Sequence, residues 1–240
     1  MNTAVASKGG VMNPDMSFDL ASHTVRELNQ ALHDLSGGPA RRIRVVNAQG
    51  DHALAVGIDA PLEVEILGHV GYYCAGMNKH ASVTVHGNAG TGLAENIMSG
   101  VVRVKGNASQ SAAATGRGGL VVIEGDASAR CGISMKGVDI VVHGAVGHMS
   151  GFMAQKGRLV VCGDAGAALG DSIYEAEIYV RGKVADLGAD CEEKEMTAEH
   201  RTALAALLSS ALVDLDPGEF RRFGSARKLY HFNIDHADAY

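Results

Sequence analysis

From Leu62 onward, apolar and polar positions recur along the chain with a period of 19 residues. Val64, Val83, Val102, Val121, Ile140, Leu159 and Ile178 form one apolar column. Ile66, Val85, Val104, Ile123, Val142, Val161 and Val180 form a second, two residues later. Side chains two apart share one face of a strand, and β-branched residues suit a pleated surface. A glycine follows in every row: Gly68, Gly87, Gly106, Gly125, Gly144, Gly163 and Gly182. This column predicts a bend at positive φ closing each strand. Between the apolar columns lies a mixed one (Glu65, Thr84, Arg103, Val122, Val141, Val160, Tyr179), as an outward or partner-facing surface would be.

A period near 20 with one strong strand and glycine corners predicts stacked coils, each burying its inner face against its neighbours. The fold class is therefore all-β, a single-stranded right-handed parallel β-helix of about seven coils with short helical flanks. At a rung spacing of about 4.8 Å the rod is roughly 30–35 Å long. An antiparallel sandwich would not hold three columns in phase through seven rows. Small residues on the far side of each coil let it turn inward, and Met98, Met135 and Met153 are expected to fill gaps in the core.

The flanks break the period. Residues 1–60 form an N-terminal arm, 61–190 the β-helix, and 191–240 a C-terminal helix with an aromatic docking tail. Residues 1–16 are expected to be loosely ordered. Thr24 and Glu27 form a capping box for a helix with Val25, Leu28, Leu32 and Leu35 on its apolar stripe, stopped at Ser36–Pro39. Residues 41–57 read as two short strands around Asn47–Gly50. Thr197 is expected to cap a helix over 198–212, with Leu204, Leu207, Leu208 and Leu212 apolar. The final stretch, FRRFGSARKLYHFNIDHADAY, gathers rings that are scarce in the rod. It packs either on the solenoid flank or on another subunit.

Composition agrees with tight, frequent turning around a narrow core: 31 glycines, 5% aromatics and no tryptophan. A net charge of −6 without a basic block gives nothing to track a nucleic acid or hold an anionic bilayer. The first residues lack the apolar stretch of a signal peptide, no run reaches membrane-spanning length, and the four cysteines show no CxxC pairing, so a cytoplasmic location is expected.

Candidate chemistry is sparse. Cys74 and Cys131 share a slot three coils apart, roughly 14 Å, too far for a disulfide. His86 and His143 likewise share a slot three coils apart, and no HxH or HExxH spacing supports a metal site. His69, Tyr72, Tyr73, Cys74, Asn78, Lys79 and His80 form the most functional-looking cluster, which reads as a pocket, an interface or a polar turn. The corner GNAGTG has neither the Walker pattern nor a strand–GxGxxG–helix unit. No catalytic, cofactor-binding or metal-ligating residue is assigned.

The lines GHMSGFMAQKGRLVVCGDAG and GNAGTGLAENIMSGVVRVKG resemble the GXGXG β-helix domain at the C-terminal end of the glutamate synthase large subunit, over roughly residues 52–190. The termini SFDLASHTVRELNQALHDL and FRRFGSARKLYHFNIDHADAY look most like the stand-alone middle subunit of N-methylglutamate synthase. That resemblance implies a non-catalytic scaffold in a hetero-oligomer. Its partners would be a class II glutamine amidotransferase-like subunit and a glutamate synthase-like subunit carrying FMN and an iron–sulfur cluster, with no cofactor on this chain. The implied reaction forms N-methylglutamate from methylamine and glutamate and releases ammonia. The related β-helix subunit of formylmethanofuran dehydrogenase, or of the formyltransferase/hydrolase complex, shares the coils and is the alternative. A self-assembling structural β-solenoid is a third reading, against which the unrepetitive outer column argues.

Overall fold

A computed structural model describes residues 14–227. The chain winds into a β-solenoid of about seven turns at the 19-residue spacing, flanked by two short helices. Strand β1 (Met16–Asp19) and helix α1 (Val25–Asp34) come first. Strands β2 (Arg42–Asp51), β3 (Glu63–Val70), β4 (Ser82–Val85), β5 (Val101–Val104) and β6 (Leu120–Ile123) follow. Next are β7 (Lys136–Val142), β8 (Lys156–Val161), β9 (Glu177–Val180) and β10 (Cys191–Lys194). Helix α2 (Ala198–Ser210) and strand β11 (Arg221–Ser225) complete the order. Strands β1 to β9 pair in parallel in chain order; β11 then runs antiparallel to β9, and β10 antiparallel to β11.

Pairing register follows the sequence columns. Val64 pairs with Val83, then Val102, Val121, Ile140, Leu159 and Ile178, all at most 1% exposed. Each such side chain contributes roughly 1.5–3 kcal/mol by burial. A second line of parallel bridges joins Val70, Ala89, Ala108, Ala127, Val146, Ala165 and Val184, the small slots beyond each corner. Met135 is fully buried, but Met98 and Met153 are 46% and 43% exposed, so only one of the three methionines expected in the core is there.

The corner glycines differ from expectation. Gly68 has φ +132, whereas Gly87, Gly106, Gly125, Gly144, Gly163 and Gly182 do not have positive φ. Their requirement is space. A Cβ on Gly125 would overlap Asn107 Oδ1 and stand 2.9 Å from the Gly106 carbonyl oxygen. The Asn107 oxygen belongs to a ladder: Asn88 Oδ1 accepts from the Asn107 N–H (2.9 Å), Asn107 Oδ1 from Asp126 (2.8 Å), and Asp126 Oδ1 from Ala145 (2.7 Å).

Positive φ lies instead in the turns, three alternate residues at a time: Ser111, Ala113 and Thr115; Arg130, Gly132 and Ser134; Met149, Gly151 and Met153. The alternation sends successive N–H groups to opposite neighbours. Ser111 donates to Ala129 in the next coil, Ala113 to Leu93 in the previous one, and Thr115 to Ile133 in the next. These bonds offset a left-handed cost of about 1–2 kcal/mol per non-glycine residue.

Helix α1 starts at the expected Thr24 capping box and buries Leu28 and Leu32 against the first coil. Its polar side chains stand in for the preceding coil. Asn29 Nδ2 donates to the Ala53 carbonyl (2.8 Å), His33 Nε2 to Val56 (2.7 Å) and the Ser36 hydroxyl to Asp59 (3.1 Å). Residues 42–51 form one strand with a register shift between Val45 and Ala48, where Asn47 has φ +61, and not two strands. The expected loose order of residues 1–16 falls mostly on residues 1–13, outside the described residues; Met16 already begins β1.

Candidate interaction surfaces

The outward strand column divides into two regimes. Val122, Val141, Val160 and Tyr179 are fully buried, because α2 lies across them with Leu204, Leu207, Leu208 and Ala211, joined by Phe220. Earlier in the same column Arg44, Glu65 and Thr84 carry polar outward positions, and Arg103 stands at the edge of α2. The mixed character of the column is thus a step from polar to apolar at the edge of α2. Thr197 caps α2 as expected, with His200 as its reciprocal partner: His200 Nδ1 accepts from the Thr197 N–H (3.2 Å) and Nε2 faces Glu177 Oε1 (3.2 Å). The helix ends at Ser210, two residues short of expectation. Leu212 has φ +62 and is 77% exposed, so it leaves the apolar stripe.

A polar cluster marks the step. Arg103, whose side chain is 12% exposed, pairs with Glu124 Oε1 (3.0 Å), which also takes Lys105 Nζ (2.7 Å). Burial pushes the Glu124 carboxyl up, but the hydrogen bonds from Lys105 and Arg103 outweigh it and hold it below its ordinary range. His143 sits beside them with Nε2 buried against the Ala211 backbone. Desolvation holds its imidazole below the ordinary histidine value; the Glu124 charge opposes this and the Arg103 charge adds to it.

The uncovered half of the strand face holds a groove of about 600 Å³ lined by residues that include Arg42, Glu63, Leu67 and Thr84. Its charges pair along the rungs, Arg42 Nε with Glu63 Oε2 (2.6 Å) and Arg44 with Glu65 Oε2 (3.0 Å). His86 Nε2 stands 3.6 Å from Glu65 Oε1. Such a surface suits polar contact with a protein better than burial of a small apolar ligand.

No protein-family model matches the chain. Protein GlxC of Rhizobium meliloti (strain 1021) is 62% identical over 225 residues, which cover 93% of this chain and 99% of GlxC. The chain belongs to the GlxC family.

In this GlxC-family solenoid the residues singled out by sequence divide by direction. Cys74 and Cys131 occupy equivalent interior slots, and burial pushes both thiols up to about 12. Cys162 and Cys191 are pushed up to about 11, mainly by burial. All four cysteines are free. A thiol held so far above neutral pH is a packing group.

The cluster around Tyr72 faces three ways. Cys74 and Asn78 point inward, and Asn78 Nδ2 donates to the Ala81 (2.9 Å) and Ser99 (3.0 Å) carbonyls. Tyr72 lies against the His52 ring, with centroids 3.9 Å apart, and His69 Nδ1 accepts from the Asn88 N–H (3.0 Å). Lys79 pairs with Asp59 (3.0 Å), near which His80 also sits. His86 and His143 stay on separate rungs, one in the open groove and one beside α2. Among the described residues no group of three or more His, Cys, Asp or Glu could hold a metal ion. No helix there is long and apolar enough to cross a membrane.

Two features escaped the sequence reading: the α2 seat and the alternating left-handed turns. The apolar run Val122, Val141, Val160 was the available signal for the seat. For the turns the signal was weak, because most of the left-handed positions are not glycine.

The tail is partly placed. Phe220 and Phe223 are buried at 3% and 2% exposure, so the start of the tail packs on its own solenoid; residues 228–240 lie outside the described residues.

Proposed function

We propose that the chain is the non-catalytic scaffold subunit of a glutamate synthase-like complex, most closely the middle subunit of an N-methylglutamate synthase. In this reading it joins a class II amidotransferase-like subunit to a subunit carrying FMN and an iron–sulfur cluster. Those partners form N-methylglutamate from methylamine and glutamate and release ammonia. The observation that carries the reading is that the coils bearing the GXGXG resemblance are the solenoid itself, paired in register from β3 to β9. Membership of the GlxC family, over almost the full length of GlxC, supports it. So does the use of the prominent side chains within the rod: cysteines as packing groups, and Asn29, His33 and Asn107 as backbone partners.

The test is native mass spectrometry of the tagged chain isolated from its own cells. An assembly containing amidotransferase-like and flavin-binding chains is expected, while the chain made alone binds no FMN and has no turnover. A formylmethanofuran-type assembly, or an assembly of this chain only, would overturn the proposal.

A further inference from the structure

The turns after Gly106, Gly125 and Gly144 have an unusual composition. Residues 109–118, 128–137 and 147–156 contain no Asp or Glu, in a chain whose net charge is −6. They carry Arg117, Arg130, Lys136 and Lys156, all exposed. Among the described residues none of these four side chains forms an ion pair of the kind that joins the cations of the open groove, although Lys156 borders a depression that Glu175 and Glu177 also line. Lys136 and Lys156 are register partners on adjacent strands, so two ammonium groups stand on neighbouring rungs.

Phe152, half-buried, and Met153, 43% exposed, follow on the adjacent rung, where the Phe152 carbonyl accepts from the Ser134 N–H two residues before Lys136. The surface is rigid, because Arg130 and Ser134 donate forward to His148 and Phe152 while Gly132 donates back to Ala112. A preformed basic face with arginine, methionine and an aromatic ring has the composition of a protein interface. The apolar residues favour a protein over a nucleic acid, whose backbone would leave them unmatched. A second copy meeting this face with its own would oppose like charges.

We infer that this turn face is the docking surface for a different protein chain, one presenting carboxylates around an apolar contact. The inference rests on the proposed role as a complex subunit and names the face that role uses.

The test is zero-length carbodiimide cross-linking of the assembly isolated from its own cells, read by peptide mass spectrometry. The reagent joins a lysine amine to a contacting carboxylate as an amide, and the carbodiimide takes up the water. Links from Lys136 and Lys156 to Asp or Glu of another polypeptide are expected. The Lys136→Glu, Lys156→Glu double variant should lose at least about tenfold of that polypeptide on co-purification, with an unchanged unfolding midpoint. Added salt should lower the wild-type yield in the same direction.

Absence of such links, links only to this chain's own carboxylates, or release of the bound material by nuclease would overturn the inference. If amidotransferase-like and flavin-binding chains co-purify without linking to these lysines, the surface is wrong and the functional reading stands. If the linked chain is neither of these, the surface stands and the functional reading falls.

Discussion

Arg103 donates both terminal guanidinium nitrogens to the Ala211 carbonyl oxygen, at 3.2 Å each, across 108 residues of sequence. The contact places a cation at the C-terminal end of α2, where exposed carbonyls carry partial negative charge. It also ties the edge of the helix to the rung where the outward column changes from polar to apolar. Arg103→Ala should cost about 1.5–3 kcal/mol, the range for hydrogen bonds to a charged group. Hydrogen exchange should show the loss at the end of α2, with the β4 and β5 amides still protected.

Acid should weaken the same seat. His143 is held below its ordinary value by desolvation, so the folded chain binds fewer protons at this site than the unfolded chain. Its contribution is fully present above the ordinary histidine pKa of about 6.5. It is lost as pH falls from there through the lowered folded value. The unfolding midpoint should drop across that window, and His143→Phe should flatten the drop. An equal drop in the variant would assign the effect to another group.

Gly125→Ala should destabilise the rod by about 1–3 kcal/mol through overpacking, although its φ is one that alanine adopts. Removing the ladder oxygen with Asn107→Ala in the same chain should recover part of the loss, because the new methyl group then meets only the Gly106 backbone. Denaturant unfolding of the two single variants and the double variant reads this coupling. Strict additivity would remove the steric account.

Two substitutions in one column should separate the covered half from the open half. Val141→Asp buries an unpaired carboxylate under α2 and should cost about 3–5 kcal/mol. Thr84→Asp, one rung beyond Arg103 at the helix edge, should stay within about 1 kcal/mol. Equal losses in thermal unfolding would contradict the step.

The capping box at Thr24, the N-cap at Thr197 and the paired valine columns were legible because each depends on residues close in sequence or repeated in phase. Leu212 was misplaced because helix periodicity extends past Ala211, where the backbone turns left-handed.

The amino-acid order alone was enough to specify the coil, its register and the inward face of strands β3 to β9. A side-chain period of two leaves no freedom once both apolar columns must be buried. Only the tertiary structure decided what the corner glycines are for, since their constraint comes from atoms one rung away, such as Asn107 Oδ1 at Gly125. It alone decided which outward residues are core, because α2 reaches Val141 and Val160 from a distant part of the chain. It also brought Arg117, Lys136 and Lys156 onto consecutive rungs. Along the chain these are isolated charges; stacking at about 4.8 Å per rung makes them a surface.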